Sequence, residues 1–256
     1  AEHACMHLIY ARFFVKALRD LGFLKFDEPF IKLFNQGMLL GADGEKMSKS
    51  KGNVVLPEEV SKRYGIDTAR LFLISVASPD KDVQWSEQGI EGSLRFVRKV
   101  MGFDKFGKTD KIVESKLNKN IKEVTADIEN FRYNIAVIKM RELFDVIIEN
   151  EISKTDFGSF LKLFSVFCPH IAEELWHKLG NKNFISLAEW PVAGKIDEKL
   201  LAEEEKTGRL IEDIKNILRI LESKGEKNKS KILIFAIPNE VALYKNEEEK
   251  IKKIFN

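Results

Sequence analysis

Apolar residues recur at helical spacing through most of this 256-residue chain. His7, Leu8, Tyr10, Ala11, Phe14, Val15 and Leu18 form the first stripe, inside a helix predicted over Glu2 to Leu21, and Gly22 sits where a C-terminal cap belongs. After Pro29, the segment Phe30 to Leu40 reads as a helical turn followed by a short apolar run, Met38-Leu39-Leu40, with strand character. A polar loop punctuated by glycine, Gly41 to Asn53, comes next, and Val54-Val55-Leu56 resumes apolar character. Pro57-Glu58-Glu59-Val60 starts a helix, with proline near its first position and two carboxylates favoured by the dipole. A further helix is predicted over Asp67 to Val76, with Asp67 as its cap.

From Glu87 onward the pattern is uniformly helical. Leu94, Val97, Val100 and Met101 make one stripe, and Leu117, Ile121, Val124 and Ile128 another. Ile135, Ile138, Leu143, Phe144 and Ile147 make a third. Phe160, Leu163, Phe164 and Phe167 lead to Pro169, with Ile171, Leu175 and Leu179 beyond it. Four or five amphipathic helices joined by short polar loops predict a bundle. After Trp190-Pro191 the pattern changes: a charged helix over Lys195 to Lys229, a strand over Lys231 to Ile237, and a last charged helix over Val241 to Phe255. One strand without a partner makes this tail an incomplete module.

Composition narrows the class without deciding it. Basic and acidic side chains number 42 and 40, for a formal charge of +2, so a polyanion has to be met by local clusters and not by a global field. Cys5 and Cys168 stand far apart, which fits free thiols in a reducing compartment better than a disulfide or a zinc site. No apolar run reaches membrane-spanning length and no signal-peptide pattern is present, so the reading is soluble and cytoplasmic. Ala1 in place of methionine, with the helical pattern running from Glu2, predicts a fragment, a processed chain or one half of a split enzyme.

Lys46-Met47-Ser48-Lys49-Ser50 is the stretch richest in chemistry. With Lys51 it puts three ammonium groups and two hydroxyls on a loop between a strand and a helix start. Such donors suit a polyphosphate whose charge moves during reaction; a solvated basic loop has the same composition. The five residues also match, letter for letter, the KMSKS signature of the class I aminoacyl-tRNA synthetases. A given pentamer falls by chance in roughly one chain in ten thousand of this size, so the resemblance is specific.

The surroundings extend it. Arg63 to Leu71 resembles the segment that follows the signature in the leucine, isoleucine, valine and methionine enzymes. Pro169-His170-Ile171-Ala172-Glu173-Glu174-Leu175-Trp176 is similar to a helix of their anticodon-binding bundle, and Glu189-Trp190-Pro191 to the segment that closes it. Glu2 to Phe14 and Asp80 to Gly92 look most like the leucine enzymes. The resemblance covers about residues 1 to 195. His3 and His7, at i and i+4, share a helix face; two ligands without a third do not make a metal site, and the resemblance implies that this helix borders the adenylate pocket. No residues are assigned to a metal.

The resemblance implies a mainly α fold: a C-terminal remnant of a Rossmann-like nucleotide-binding domain over 1–88, a helical anticodon-binding bundle over 89–195 that binds tRNA, and a charged helix beginning an incomplete α/β module over 196–256. It implies ATP as a substrate, with Mg2+ accompanying it, and leucine and tRNA-Leu as partners. Lys46 and Lys49 become the catalytic candidates, and Lys46, Met47, Ser48, Lys49, Ser50, His3 and His7 the nucleotide-binding set. Arg95, Arg98, Lys99, Arg132, Lys139 and Arg141 are candidates for phosphate contacts. The family's His-x-Gly-His element does not occur in these 256 residues, so the chain is expected to depend on a missing N-terminal catalytic half, in cis or as a second subunit, and to be inactive alone. The rival readings are an isoleucine, valine or methionine enzyme and a non-catalytic tRNA-binding paralogue.

Overall fold

The computed structural model describes residues 4–223 and 233–252. The chain is mainly α, with helices α1 to α11 and a two-stranded sheet as the regular structure of the described residues. After a π turn at Ala4–Leu8, α1 spans Ile9–Asp20. It ends as the pattern predicts, with Gly22 N–H bonded to the Arg19 carbonyl and Phe23 N–H to that of Leu18, a Schellman closure. None of its residues is buried; ion pairs such as Arg12–Glu28 at 2.7 Å and Lys16–Asp27 at 3.1 Å tie it to the segment that follows.

The helical turn expected after Pro29 does not form. This stretch runs irregularly to β1, Leu39–Leu40, which pairs in parallel with β2, Val83–Gln84, in the register Leu39 to Val83. Long-range bonds take the place of helical ones: Gly37 N–H donates to the Pro79 carbonyl at 2.8 Å and Met38 N–H to Asp82 Oδ1 at 2.7 Å. A Cβ at Gly37 would lie 2.0 Å from the Lys81 carbonyl oxygen, so only glycine permits this approach.

Two helices follow the lysine loop: α2, Pro57–Tyr64, and α3, Ile66–Ser75. Asp67 is not the cap of α3. Gly65 holds that position, and Asp67 lies inside the first turn, 3% exposed, facing another helix. The five bundle helices are α4 (Glu87–Met101), α5 (Lys111–Glu129), α6 (Tyr133–Glu149), α7 (Lys154–Ser165) and α8 (Pro169–Lys178). Ser86, Asp110 and Ser153 cap α4, α5 and α7 by accepting the amides of Gly89, Ile112 and Asp156.

The main core lies among these helices and is dense in phenylalanine. Phe144, Phe157, Phe160 and Phe164 are fully buried, and Phe96 meets Phe144 and Phe164 edge to face at 5.8 and 6.0 Å. The α6 stripe differs from the predicted one. Ile135 and Ile138 are exposed, and Ala136, Val137 and Met140 join Leu143, Phe144 and Ile147 on the buried face. A strap after α8 crosses α5, with Trp190 Nε1 donating to Thr125 Oγ1 at 2.8 Å and Gly194 N–H to Asn118 Oδ1 at 2.8 Å.

In the tail, α9 spans Glu198–Ser223, starting later than the stripe predicted, with Asp197 accepting the Leu200 amide at its start; residues 224–229 of the predicted helix lie outside the described residues. Lys231 and Ile232 of the expected strand lie outside the described residues, and Leu233 to Ile237 join no ladder among them. The last predicted helix is broken at Glu247 into α10, Pro238–Asn246, and α11, Glu248–Lys252. No described helix is long and apolar enough to cross a membrane.

Candidate active-site loop and its joint with the bundle

The loop between β1 and α2 is shaped by two side chains for which the sequence suggested no role. Asp43 accepts the Glu45 amide at 3.0 Å and Asn53 Nδ2 at 3.0 Å. Those two bonds hold its carboxyl below the ordinary aspartate range. Asn53 Oδ1 in turn accepts the Ser48 amide at 2.9 Å. Ser48 begins a 3-10 turn over Lys49–Lys51, its hydroxyl 2.7 Å from that of Ser50, and Gly52 closes the turn at φ 68°.

Met47 packs beside Val55 against an apolar cluster of Val60, Tyr64, Ala69, Phe72, Trp85 and Ile90. The signature therefore splits by side chain: methionine anchors the loop on α2, α3 and α4, and the lysines are left on the outside. Lys46 forms an isolated antiparallel bridge with Leu40, which ties the loop to β1. Lys51 pairs with Glu45 at 3.1 Å. Lys49 is exposed, and its ammonium has no carboxylate partner among the described residues. The arrangement is a preformed turn that presents cations and hydroxyls outward, which is what an anionic ligand needs.

His3 lies outside the described residues. His7 is exposed and meets the Phe30 ring at 5.6 Å; among the described residues no bond joins it to the lysine loop. Among those residues no group of three His, Cys, Asp or Glu side chains converges as a metal site.

A short route of contacts leads from the loop to the bundle. Glu87 at the start of α4 accepts from Tyr64 Oη and from Trp85 Nε1, which hold its carboxyl below the ordinary range, and pairs with Arg63 at 3.2 Å. Helix α3 is the joint itself. Its Phe72 packs edge to face on Trp85 in the loop's cluster at 5.2 Å, and its Leu71 belongs to the bundle core. The buried Asp67 carboxylate accepts the Ile171 amide at 2.8 Å and lies 2.8 Å from His170 Nδ1. It thus caps the N-terminus of α8 from a different helix, where negative charge also meets the positive end of the dipole. Cys168, free and buried beside it, has its thiol pushed well up by burial.

The predicted phosphate contacts divide. Arg95 and Arg98 are exposed. Lys99 pairs with Asp145 at 3.6 Å, and Arg132 and Lys139 both hold the buried Asp127 at 2.7 Å. Arg141 is half-buried over Phe96, 5.0 Å from its centroid, and donates to Ser93 Oγ. The last three are thus engaged within the fold.

Two families match the chain in the order of these parts. The one described as tRNA synthetases class I (I, L, M and V) matches residues 10–86, and the anticodon-binding domain of tRNA ligase matches residues 110–236. The chain belongs to the class I tRNA synthetases.

Its relatives narrow that class to the leucine–tRNA ligases. The leucine–tRNA ligase of Geotalea uraniireducens is 42% identical over 238 residues, which is 82% of this chain and 29% of the relative. That of Thermosipho melanesiensis is 38% identical over 282 aligned positions, covering 99% and 34%. A solved ternary complex, LeuRS-tRNA-LeuAMS of Agrobacterium radiobacter K84, has a TM-score of 0.66 at 31% identity, covering 75% of this chain and 28% of that one. The chain thus spans about a third of the length of these relatives.

Proposed function

We propose that this chain is the C-terminal part of a leucine–tRNA ligase, which activates leucine with ATP and transfers it to tRNA-Leu. Residues 1–88 supply the end of the nucleotide-binding domain, 89–195 the tRNA-binding bundle and 196–256 the start of a further module, in the cytoplasm where tRNA is charged. The observation that carries this reading is the outward-facing loop Lys46 to Ser50, anchored through Met47 and joined through α3 to the bundle.

In the first step the leucine carboxylate attacks the α-phosphate of ATP and pyrophosphate leaves; in the second a ribose hydroxyl of the tRNA takes the leucyl group. Neither step needs a covalent enzyme intermediate, so positioning and charge stabilisation supply the acceleration. We assign Lys49, whose ammonium is not held by a carboxylate among the described residues, to the charge that develops on the leaving pyrophosphate. Lys46 assists from the edge of β1, and the Ser48 and Ser50 hydroxyls donate to phosphate oxygens or hold the turn. Mg2+ arrives with the nucleotide. His3 and His7 line the adenylate side of the pocket once the rest of that domain is present.

The test is ATP–pyrophosphate exchange. The 256-residue chain alone is expected to give none, and the chain joined to the nucleotide-binding half of a relative is expected to give leucine-dependent exchange. In that assembly Lys49→Ala should lower kcat by a factor of roughly a hundred to a thousand, about 3–4 kcal/mol of barrier, with little change in the KM for leucine. Exchange that survives the substitution overturns the role of Lys49, and exchange driven by another amino acid overturns leucine.

A further inference from the structure

On the α7–α8 edge of the bundle lies a polar groove of about 230 Å³ that the proposed reaction does not use. Its walls carry Lys154, Thr155, Ser159 and Lys162 from α7, with Trp176 and Asn181 from the end of α8 and the turn beyond. Thr155, Ser159 and Lys162 stand at i, i+4 and i+7, so their donors line one face of the helix. No carboxylate lines the groove. Asp156, next in sequence, is turned away and occupied by Thr109 and Ser153.

The groove is preformed. Gly158 at its floor has no side chain, and a Cβ there would stand 3.2 Å from the Trp176 ring. Trp176 is fixed by its indole N–H to the Asn183 carbonyl at 3.0 Å, and Asn181 Nδ2 donates to the Trp176 carbonyl at 3.0 Å. Lys162 lies 5.6 Å from the Trp176 ring centroid and Lys154 6.0 Å from that of Phe106. Both ammonium groups are steadied on aromatic surface, and neither has a carboxylate partner among the described residues. They differ in this from Lys139 and Arg132, whose charge Asp127 already neutralises.

We propose that this groove is a phosphate-binding subsite that takes a phosphodiester of an RNA backbone. A compact anion with several acceptor oxygens satisfies two ammonium groups and two hydroxyls together. The volume is ample for a phosphate with part of its sugar. Lys162 covers the Trp176 face, so no open ring remains for a base to stack on. RNA as the source rests on the tRNA-binding reading above; both helices fall inside the segment matched by the anticodon-binding family.

The experiment is binding of a tRNA-Leu transcript to the full 256-residue chain across a salt series. The double variant Lys154→Ala/Lys162→Ala should weaken binding about tenfold at low salt and reduce the slope of log K against log salt by about two, one per lysine. Lys154→Arg/Lys162→Arg should restore most of both. Alanine favours helix, so α7 should persist, and an unchanged thermal melt checks it. If the parent chain binds tRNA and the alanine variant keeps both affinity and slope, the subsite is overturned while tRNA binding stands. If the parent chain binds no tRNA, the tRNA reading fails first. Titration with inorganic phosphate, followed at the indole N–H resonance of Trp176, then decides. A shift that the alanine variant loses keeps the phosphate site with free phosphate as its source, and no shift overturns it.

Discussion

Asp67 is separated from His170 by 103 positions in sequence, yet its buried carboxylate is the link by which the loop-bearing part grips the bundle. Removing it leaves the Ile171 amide without its acceptor in the joint. Asp67→Ala should therefore destabilise the chain by about 2–4 kcal/mol, and Asp67→Asn, which keeps one carbonyl acceptor, by roughly half as much. Urea denaturation measures both; a loss below about 0.5 kcal/mol for the alanine variant would mean that the contact is incidental. Asp43 does comparable work inside the loop, and pH reads it. Its folded pKa is held below the ordinary 3.8 by the Glu45 amide and Asn53. The stabilisation it lends is complete above about pH 4 and fades as pH falls through the depressed value. An NMR titration of Asp43 should give a midpoint below 3.8, and Asn53→Ala should raise it. A midpoint at the ordinary value in the parent chain would remove Asp43 as the organiser of the turn.

At the scale of elements, what was legible depended on how local the determinant was. Helices α4 to α8 carry the 3.6 period, and α4, α5 and α7 also have capping side chains at their starts, so sequence alone predicted them. The face of α6 was harder to read. Ile135, Ala136, Val137 and Ile138 are consecutive apolar residues that cannot all point inward, and packing against α5 and α3 buried the middle pair. The strand β2 has two residues, too few for alternation to register, and exists because Leu39–Leu40 pairs with it. The absent turn after Pro29 shows the same logic, since bonds from the Gly37 and Met38 amides to Pro79 and Asp82 outcompeted local ones. In the loop, the lysines and serines were legible from their pattern, while the roles of Asp43 and Asn53 needed the turn that brings them together.

At the scale of the whole molecule, the exposed face of α1 is the feature a self-sufficient fold does not explain. Tyr10, Phe13 and Phe14 are 68%, 70% and 64% exposed on a helix with no buried residue. Burying a phenylalanine contributes roughly 1.5–3 kcal/mol, so leaving two in water on one helix is a cost that a covering surface recovers. The relatives are about three times as long as this chain, and we propose their nucleotide-binding half as that cover. The 256-residue chain alone should then self-associate at high concentration and bind a hydrophobic dye. Phe13→Glu/Phe14→Glu should reduce both without lowering the denaturation midpoint, because neither ring supports the bundle core. When the chain is joined to a relative's nucleotide-binding half, amide exchange along α1 should slow by at least about tenfold, the signature of a helix packed and not merely formed. Exchange as fast in the joined protein as in the chain alone would show that α1 is covered by something else, and the assignment of that half as its partner would fall.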